Sequence, residues 1–213
     1  MERIYLISNK SYISEITIIA LVLFIPLNVF ADDFKSCNSL IDNDGDNVPE
    51  NIPYSHTDFS YCNLIGISLN ERDLINADFT GANLSGAKLT GSNLQNANFN
   101  NAILYGTDLK STNLENASFK NAILNGANAD SVNLENANFN NAKLKNVNLY
   151  KANLINTDFT NADLTEANIC GGYLAYMKFD KTIFKNTDLH HVDLSFADLR
   201  TSIFENTNLV GVN

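Results

Sequence analysis

Residues 42–50 hold the densest group of carboxylates in the sequence. They read DNDGDNVPE, with Asp42, Asp44 and Asp46 at alternate positions, a glycine before the third of them, and Glu50 at the end. Oxygen ligands spaced in this way around a tight bend suit a hard cation such as calcium. The pattern is compatible with a calcium site formed by these four carboxylates, and an acidic, disordered linker is the other interpretation of the same residues.

The same run resembles the DxDGDxxPE loops of calcium-binding type-3 repeats of the thrombospondin kind. It is similar to the opening of an EF-hand loop only in part. Asn47 stands where that loop has a glycine, and Pro53 stands where it has a bidentate glutamate. The resemblance implies calcium as a cofactor, and a calcium-dependent envelope or adhesion module as one alternative function.

The histidines give no further indication of chemistry. His56, His190 and His191 are the three histidines of the chain, and none has an acid, a nucleophile or a metal-ligand pattern at a familiar spacing. A catalytic site needs groups that converge on one point. We therefore expect these side chains to be solvated, and the sequence predicts a protein that is not an enzyme and has no cofactor unless residues 42–50 bind calcium.

Residues 1–31 have the layout of a secretory signal peptide. Arg3 and Lys10 precede an apolar run over residues 16–25, and small residues stand one and three positions before the cleavage point that follows Ala31. A spanning helix needs about 20 apolar residues, which is more than this run supplies. We expect cleavage rather than a retained anchor, which would leave a periplasmic or secreted protein with no membrane span.

Export would place the cysteines in an oxidising compartment, where disulfides form. A bond between Cys37 and Cys62 would tie the segment after the signal peptide to the first repeats. The alternative is that Cys62 is a small buried side chain.

The rest of the chain has a period of five residues. From Phe59 to Leu209, 31 consecutive positions in steps of five are apolar, and all are Leu, Phe or Ile except Ala129. A mostly small residue lies two positions earlier, and the other three positions are chiefly Asn, Asp, Gly, Ser, Thr and Lys. Two inward side chains around one outward residue indicate a short strand, and the polar remainder supplies a turn. Arg72 and Met177 stand at small-residue positions, and Ala129 stands at a large one. We expect local bulging or a loosened coil at these three departures.

A second period of twenty residues follows when four such sides close one coil. Residues twenty apart then stack, which predicts a buried column of phenylalanine rings. Glycine and asparagine recur at the corners, where a positive φ is needed. The predicted core includes Phe79, Phe99, Phe119, Phe139, Phe159, Leu114 and Leu134.

The segments ADFTG-ANLSG-AKLTG (residues 77–91) and ANLIN-TDFTN-ADLTE-ANICG (residues 152–171) resemble the A(D/N)LXX motif of the pentapeptide repeat family. The resemblance implies an all-β fold, a right-handed quadrilateral parallel β-helix of nearly eight coils over residues 57–213. Residues 32–56 would then be an acidic leader that caps the N-terminal end. Some cytoplasmic members mimic duplex DNA and protect type II topoisomerases from quinolones, which is the second alternative function.

The distribution of charge disfavours that alternative. The net charge is −10, but residues 32–58 account for −6 of it and residues 59–213 for only −4. Duplex DNA as long as the predicted rod would carry about 22 charges, and no basic patch suits nucleic acid either. The sequence therefore predicts an exported, non-enzymatic scaffold or protein-interaction module with no nucleic-acid partner.

Two surfaces are candidates for contacts with a protein partner, whose identity the sequence does not specify. Exposed aromatics near the C-terminus can mark a partner site or fold over the end of the stack, and they are Tyr150, Tyr173, Tyr176 and Phe196. The last coil is also an unpaired sheet edge. The chain stops within one side of Leu209, so a homodimer through the C-terminal coil is one hypothesis, and the sequence leaves the oligomeric state open.

Overall fold

The computed structural model describes residues 58–213, which form a stack of four-sided coils. Parallel backbone bridges join residues twenty apart, beginning with Asp58 to Asp78 and continuing along every side of the stack. Two sides widen into short strands, β1 (Ile183–Lys185) and β2 (Ile203–Glu205), which pair in parallel. The described residues contain no helix, so none there could span a membrane.

Every regular side uses the same four backbone hydrogen bonds, one of which runs from the N–H of Asn101 to the carbonyl of Lys120 in the next coil at 2.9 Å. The N–H of Phe99 donates to the carbonyl of Ser118 in the next coil at 2.7 Å, and the N–H of Asn98 donates to Ala77 in the previous coil at 2.9 Å. The N–H of Ala102 donates to the carbonyl of Phe99 at 3.0 Å and closes the corner. Each side is therefore bonded to both neighbouring coils and also forms its own turn.

The corner residue lies two positions after the large apolar one. Within residues 58–213, twenty-two non-glycine residues and eight glycines have φ between 52° and 70°, and all of them occupy this position. A positive φ at the third residue of a four-residue turn is the mark of a type II turn, for which glycine and asparagine are best suited. Gly106 and Asn116 are examples, with φ of 61° and 59°. The repeated Gly and Asn thus set the bend that closes each coil.

The core is a set of vertical columns inside the stack. Phenylalanine rings from Phe59 to Phe159 lie with centroids 4.6–4.9 Å apart and planes within 9° of parallel. The predicted core side chains are all at most 2% exposed: Phe79, Phe99, Phe119, Phe139, Phe159, Leu114 and Leu134. Burial of each such side chain stabilises the fold by about 1.5–3 kcal/mol.

Polar residues that enter the core or its rim are satisfied by bonds to another coil. The hydroxyl of the buried Thr107 donates to the carbonyl of Leu84 at 2.8 Å. On the outward side, the amide of Asn133 donates to Asn113 at 3.0 Å, and Asn153 donates to Asn133 at the same distance. These columns of side-chain amides add inter-coil bonds that match the spacing of the backbone ladder.

The three departures from the repeat behave differently. Arg72 is half-buried, and its carbonyl keeps the inter-coil bond at 2.9 Å. Ala129 also keeps its inter-coil bond at 2.7 Å, although its corner bond lengthens to 3.4 Å. Beside the buried Met177 the bond from Tyr176 to Ser195 stretches to 3.3 Å, and the rings of Phe159 and Phe179 lie 6.0 Å apart. A clear loosening of the stack therefore occurs near the C-terminal end.

Several predictions concern residues that lie outside the described part of the chain. These are the signal peptide, the acidic leader, the carboxylates of residues 42–50, and Cys37. Cys62 is described and is fully buried at a small-residue position. The calcium site and the Cys37–Cys62 bond remain predictions.

Candidate functional site

Residues 170–213, called the last coils below, bring together a cysteine, a histidine and an aspartate. The Sγ atom of Cys170 lies 2.8 Å from Nε2 of His190, and Nδ1 of His190 lies 2.6 Å from Oδ1 of Asp188. Cys170 and His190 each stand just before the positive-φ corner residue of their side, in successive coils, so the twenty-residue period stacks them. Their order is that of a nucleophile, a base and a residue that orients the base.

The aspartate is held by a bonding pattern that recurs around the stack. The N–H of Thr160 donates to Asp158 two residues earlier at 3.0 Å, and in the same way the N–H of His190 donates to Oδ1 of Asp188 at 3.1 Å. The amide of Asn208, one coil further on, donates to the same oxygen at 3.0 Å. A turn motif common to the repeat thus fixes the carboxylate beside the imidazole.

These bonds determine the ionisation of Asp188. Burial alone would raise the pKa of this carboxyl, but the hydrogen bonds from the side chain and backbone of His190, and from Asn208, outweigh burial and lower it. An ionised carboxylate only accepts, so Nδ1 of a neutral His190 ring must carry the proton. Nε2 is then the acceptor, and the thiol of Cys170 donates its proton toward it.

The thiol itself is protonated at neutral pH. Partial burial is the main factor that raises the pKa of Cys170, the negative charge of Asp188 raises it further, and Lys151 works in the opposite direction. The resting state therefore has a protonated thiol in contact with the His190 ring. A proton can move from Sγ to Nε2 without any rearrangement of the backbone.

The arrangement is a relay and not a metal site. Cys170 and Asp188 contact opposite nitrogens of the His190 ring, so their atoms do not converge on one point. Within residues 58–213, no group of three or more His, Cys, Asp or Glu side chains is placed to hold a metal ion.

The expectation that the histidines lack partners is wrong for His190. Nothing close to this residue in the sequence reveals Cys170, because the two are a whole coil apart. A search for chemically active residues twenty positions apart would have found the pair. His191 is exposed at the positive-φ corner, with its ring 5.3 Å from that of His190, and His56 lies outside the described residues.

The four aromatic residues of the predicted partner patch divide between two corners. Tyr176 and Phe196 stack with centroids 5.0 Å apart, and they are 56% and 78% exposed. Tyr173 is 65% exposed and follows the corner that carries Cys170. Tyr150 lies one coil before that cysteine, with Nζ of Lys151 5.0 Å from its ring centre. The structure thus pairs two of the four rings directly.

The final coil exposes side chains that are buried elsewhere in the stack. Phe204 and Leu209 are 38% and 47% exposed, whereas Phe184 and Leu189 in the same columns one coil earlier are fully buried. In the ladder scheme, the N–H groups of Phe204 and Leu209 also point away from the previous coil. This face has the shape and bonding pattern of an interface between coils.

An open groove of about 460 Å³ lies beside the last coils and is lined by Thr160, Lys178, Asp180, Asp198, Arg200 and Thr201. Arg200 donates to both oxygens of Asp198, at 2.9 and 2.6 Å. The hydrogen bonds from Arg200 lower the pKa of Asp198 to about 2. Since the guanidinium is already paired, the groove offers an anionic ligand little unpaired charge.

Comparison with known proteins identifies similar chains. A family model for a pentapeptide repeat region matches residues 52–129 and 132–213. A pentapeptide repeat protein of the cyanobacterium Cyanothece 51142 is 31% identical, with a TM-score of 0.40, over 55% of this chain and 86% of its own.

Two other solved structures are more distant. A pentapeptide repeat protein of the Arabidopsis thaliana thylakoid lumen is 23% identical over 62% of this chain and 70% of its own, with a TM-score of 0.37. QnrB1, a plasmid-mediated fluoroquinolone resistance protein, is 21% identical over 70% and 84%, with a TM-score of 0.25. No curated protein matches the chain significantly.

Proposed function

The chain belongs to the pentapeptide repeat family, and we propose that it is an exported, non-enzymatic scaffold that binds protein through its last coils. Its fold is the right-handed quadrilateral parallel β-helix of that family. The observation that carries the proposal is the contrast between polar sides along most of the stack and the exposed apolar groups of the final coil. Exposed aromatic and aliphatic groups of this kind are typical of protein interfaces.

The partner that best fits the end of the stack is a second copy of the chain. Phe204 and Leu209 lie in columns that a further coil would cover, and the last coil of a second copy presents the same columns. Such a contact is isologous and closes after two subunits. The aromatic pair Tyr176 and Phe196 lies on a lateral corner, where it stays available to a different protein partner.

Light scattering on the mature protein tests the proposed homodimer. We expect a dimer, and we expect Leu209→Asn to weaken the association by at least about tenfold because it puts an amide into an apolar contact. Ile65→Asn is the matched control, since Ile65 is 39% exposed near the other end of the stack. A monomer at high concentration, or equal effects of both variants, would contradict the homodimer.

Export is tested on cells that express the full chain. The intact mass of the protein recovered outside the cytoplasm should correspond to a chain that begins at Asp32, because the signal layout places the cleavage point after Ala31. A chain that stays in the cytoplasm at full length would contradict this part of the proposal.

The DNA-mimic alternative is less favoured on physical grounds. The net charge of residues 59–213 is only −4, and the Nζ atoms of Lys110 and Lys145 lie 3.7 and 3.4 Å from carboxylate oxygens of Asp130 and Asp163, so these two acids are locally neutralised. A mimic should present a dense and uncompensated negative surface. A gyrase supercoiling assay with the mature protein decides the matter, since inhibition at sub-micromolar concentration would favour the mimic.

The calcium-dependent alternative rests on Asp42, Asp44, Asp46 and Glu50, which are outside the described residues. Calorimetry with calcium on the mature protein, beside an Asp44→Asn variant, provides the test. Heat of binding that the variant loses would favour the calcium module. The absence of any heat would dispose of it.

A further inference from the structure

We propose that Cys170 is a nucleophilic thiol which reacts with small disulfides by thiol–disulfide exchange, with His190 as its base and Asp188 as the residue that positions that base. The proposal goes beyond the scaffold function and does not depend on it. Its basis is the relay of contacts at 2.8 and 2.6 Å on the surface of the last coils.

Cys170 is placed so that a small molecule can reach it. The side chain is half-buried at a corner of the stack, and it is the free cysteine of the described residues. The charged and titratable groups that face it are Asp188 and His190 in the next coil, with His191 beside them, and Lys151 in the previous coil. The ring of His190 contacts the thiol with its acceptor nitrogen, because Asp188 fixes the proton on the other.

The reaction conserves all atoms and electrons. Nε2 of His190 takes the proton of Cys170 as Sγ attacks one sulfur of the disulfide. A new S–S bond forms between Cys170 and that sulfur while the original S–S bond breaks. The leaving thiolate then receives the proton from His190. Cys170 is oxidised to the mixed disulfide, and the leaving half of the small disulfide is reduced to a thiol.

The geometry favours exchange over acyl transfer. An acyl-transfer site needs backbone N–H groups that are available to bind an oxyanion. Here the N–H of Cys170 donates to Asn168 at 3.1 Å, and the N–H groups of Gly171 and Gly172 donate to the carbonyls of His190 and Ile169 at 3.4 and 3.3 Å. Attack on a disulfide creates no oxyanion, so these bonds need not break.

The effect of His190 on the reactivity of Cys170 can be distinguished from that of its other surroundings, because the two act in opposite directions. Burial and Asp188 raise the pKa of the thiol and would by themselves make Cys170 less reactive than an unstructured cysteine at neutral pH. If Cys170 exchanges faster than an unstructured cysteine at neutral pH, the increase therefore reports proton transfer to His190.

The experiment measures exchange of the mature protein with 4,4′-dithiodipyridine from pH 6 to 9, and mass spectrometry assigns the label to the peptide that contains Cys170. At pH 7 the wild type should react at least about tenfold faster than His190→Gln, the usual scale of a positioned base being 10² or more. His191→Gln is the matched control and should react like the wild type. Cys170→Ala should give no label at this position, and its signal measures the reaction of the reagent elsewhere in the protein.

The pH profile distinguishes a base from a merely structural histidine. The rate for His190→Gln should rise about tenfold per pH unit until the thiol titrates, because only the thiolate attacks. The wild-type profile should be shallower below pH 8, and that of Asp188→Asn should lie between the two because the amide can no longer fix the ring proton. Equal rates and slopes for wild type and His190→Gln would overturn the proposal, provided that both melt at the same temperature.

Discussion

The middle of the stack and its last coils follow the same plan with different fidelity. From Phe59 to Phe159, the inter-coil bond made by the N–H of each large apolar residue is 2.7–2.8 Å long, and it lengthens to 2.9 Å at Ile169 and 3.0 Å at Leu189. The core columns stay buried through Leu189 and become exposed only in the final coil, where the exposed fraction reaches 47% at Leu209. In the middle of the stack nearly every residue follows the repeat that specifies the fold, whereas the last coils carry the side chains suited to chemistry and binding.

The largest effect should come from placing a charge in the core of the middle region. Phe119→Asp should lower the free energy of unfolding by about 4 kcal/mol or more, because an unpaired carboxylate would replace a fully buried ring. Phe204→Asp should lower it by only about 1–2 kcal/mol, since Phe204 is already exposed at the final coil. Denaturant titration measures both values.

The exposed Lys120 supplies the control for that pair, and Lys120→Asn should be neutral within about 0.5 kcal/mol. Asn100 is less suitable, because its side-chain oxygen accepts bonds from Ser118 and Lys120 in the next coil. If the two aspartate variants were equally unstable, the comparison between the regions would fail.

The next effect concerns the corners. Asn116→Val should cost about 1–2 kcal/mol because a branched side chain opposes a φ of 59°, whereas Asn116→Gly should change the stability little. Asn206→Val, at a φ of 52° in the final coil, should cost less because this corner is bonded to only one neighbouring coil. Thermal unfolding of the three variants measures the ranking, and a larger loss at Asn206 would contradict it.

The smallest effect should be a sensitivity of the last coils to acid. The pKa values of Asp188, Asp193 and Asp198 are lowered, the last to about 2 by its bonds to Arg200. A lowered carboxyl pKa stabilises the fold above the unfolded value, near 3.9, and this contribution is lost as the pH falls through the folded value. The last coils should therefore lose hydrogen-exchange protection between about pH 4 and pH 2 before the middle region does.

Amides near Phe99 give the internal reference for that measurement. Asp198→Asn should remove part of the acid sensitivity, because the amide does not titrate over this range. Parallel loss of protection in both regions would show that the three carboxylates do not set the order.

The quadrilateral fold was predictable because each side contains the inward apolar residues and the turn residue that define it. In the side around Phe99, Ala97 and Phe99 point inward, and Asn101 adopts the positive φ that turns the chain. The family assignment and the repeated bonding confirm the predicted fold. Thr201 is the one corner residue between 61 and 211 without a positive φ, and the side that follows it adopts the strand β2. The residue pattern did not distinguish that side from the others.

The relay was not predicted, for a physical reason. Familiar catalytic patterns join residues that are close along the chain or lie on one helix face, whereas here proximity follows the coil period. Cys170 and His190 are twenty residues apart and in contact, and Asp188 joins them through the turn motif of the repeat. The exposed end was easier to anticipate, because Phe204 and Leu209 obey the repeat and need only a final coil to leave them uncovered.

The alignment of phenylalanine rings at a spacing near 4.8 Å also constrains how the length of this protein can change. Deletion of five residues from the middle would turn everything after the cut by a quarter of a revolution and place leucines against the aromatic column. Deletion of twenty residues would remove one whole coil and leave every column of stacked side chains continuous. Insertions and deletions that preserve folding should therefore comprise whole coils, so that the length of the repeat region changes in steps of twenty residues.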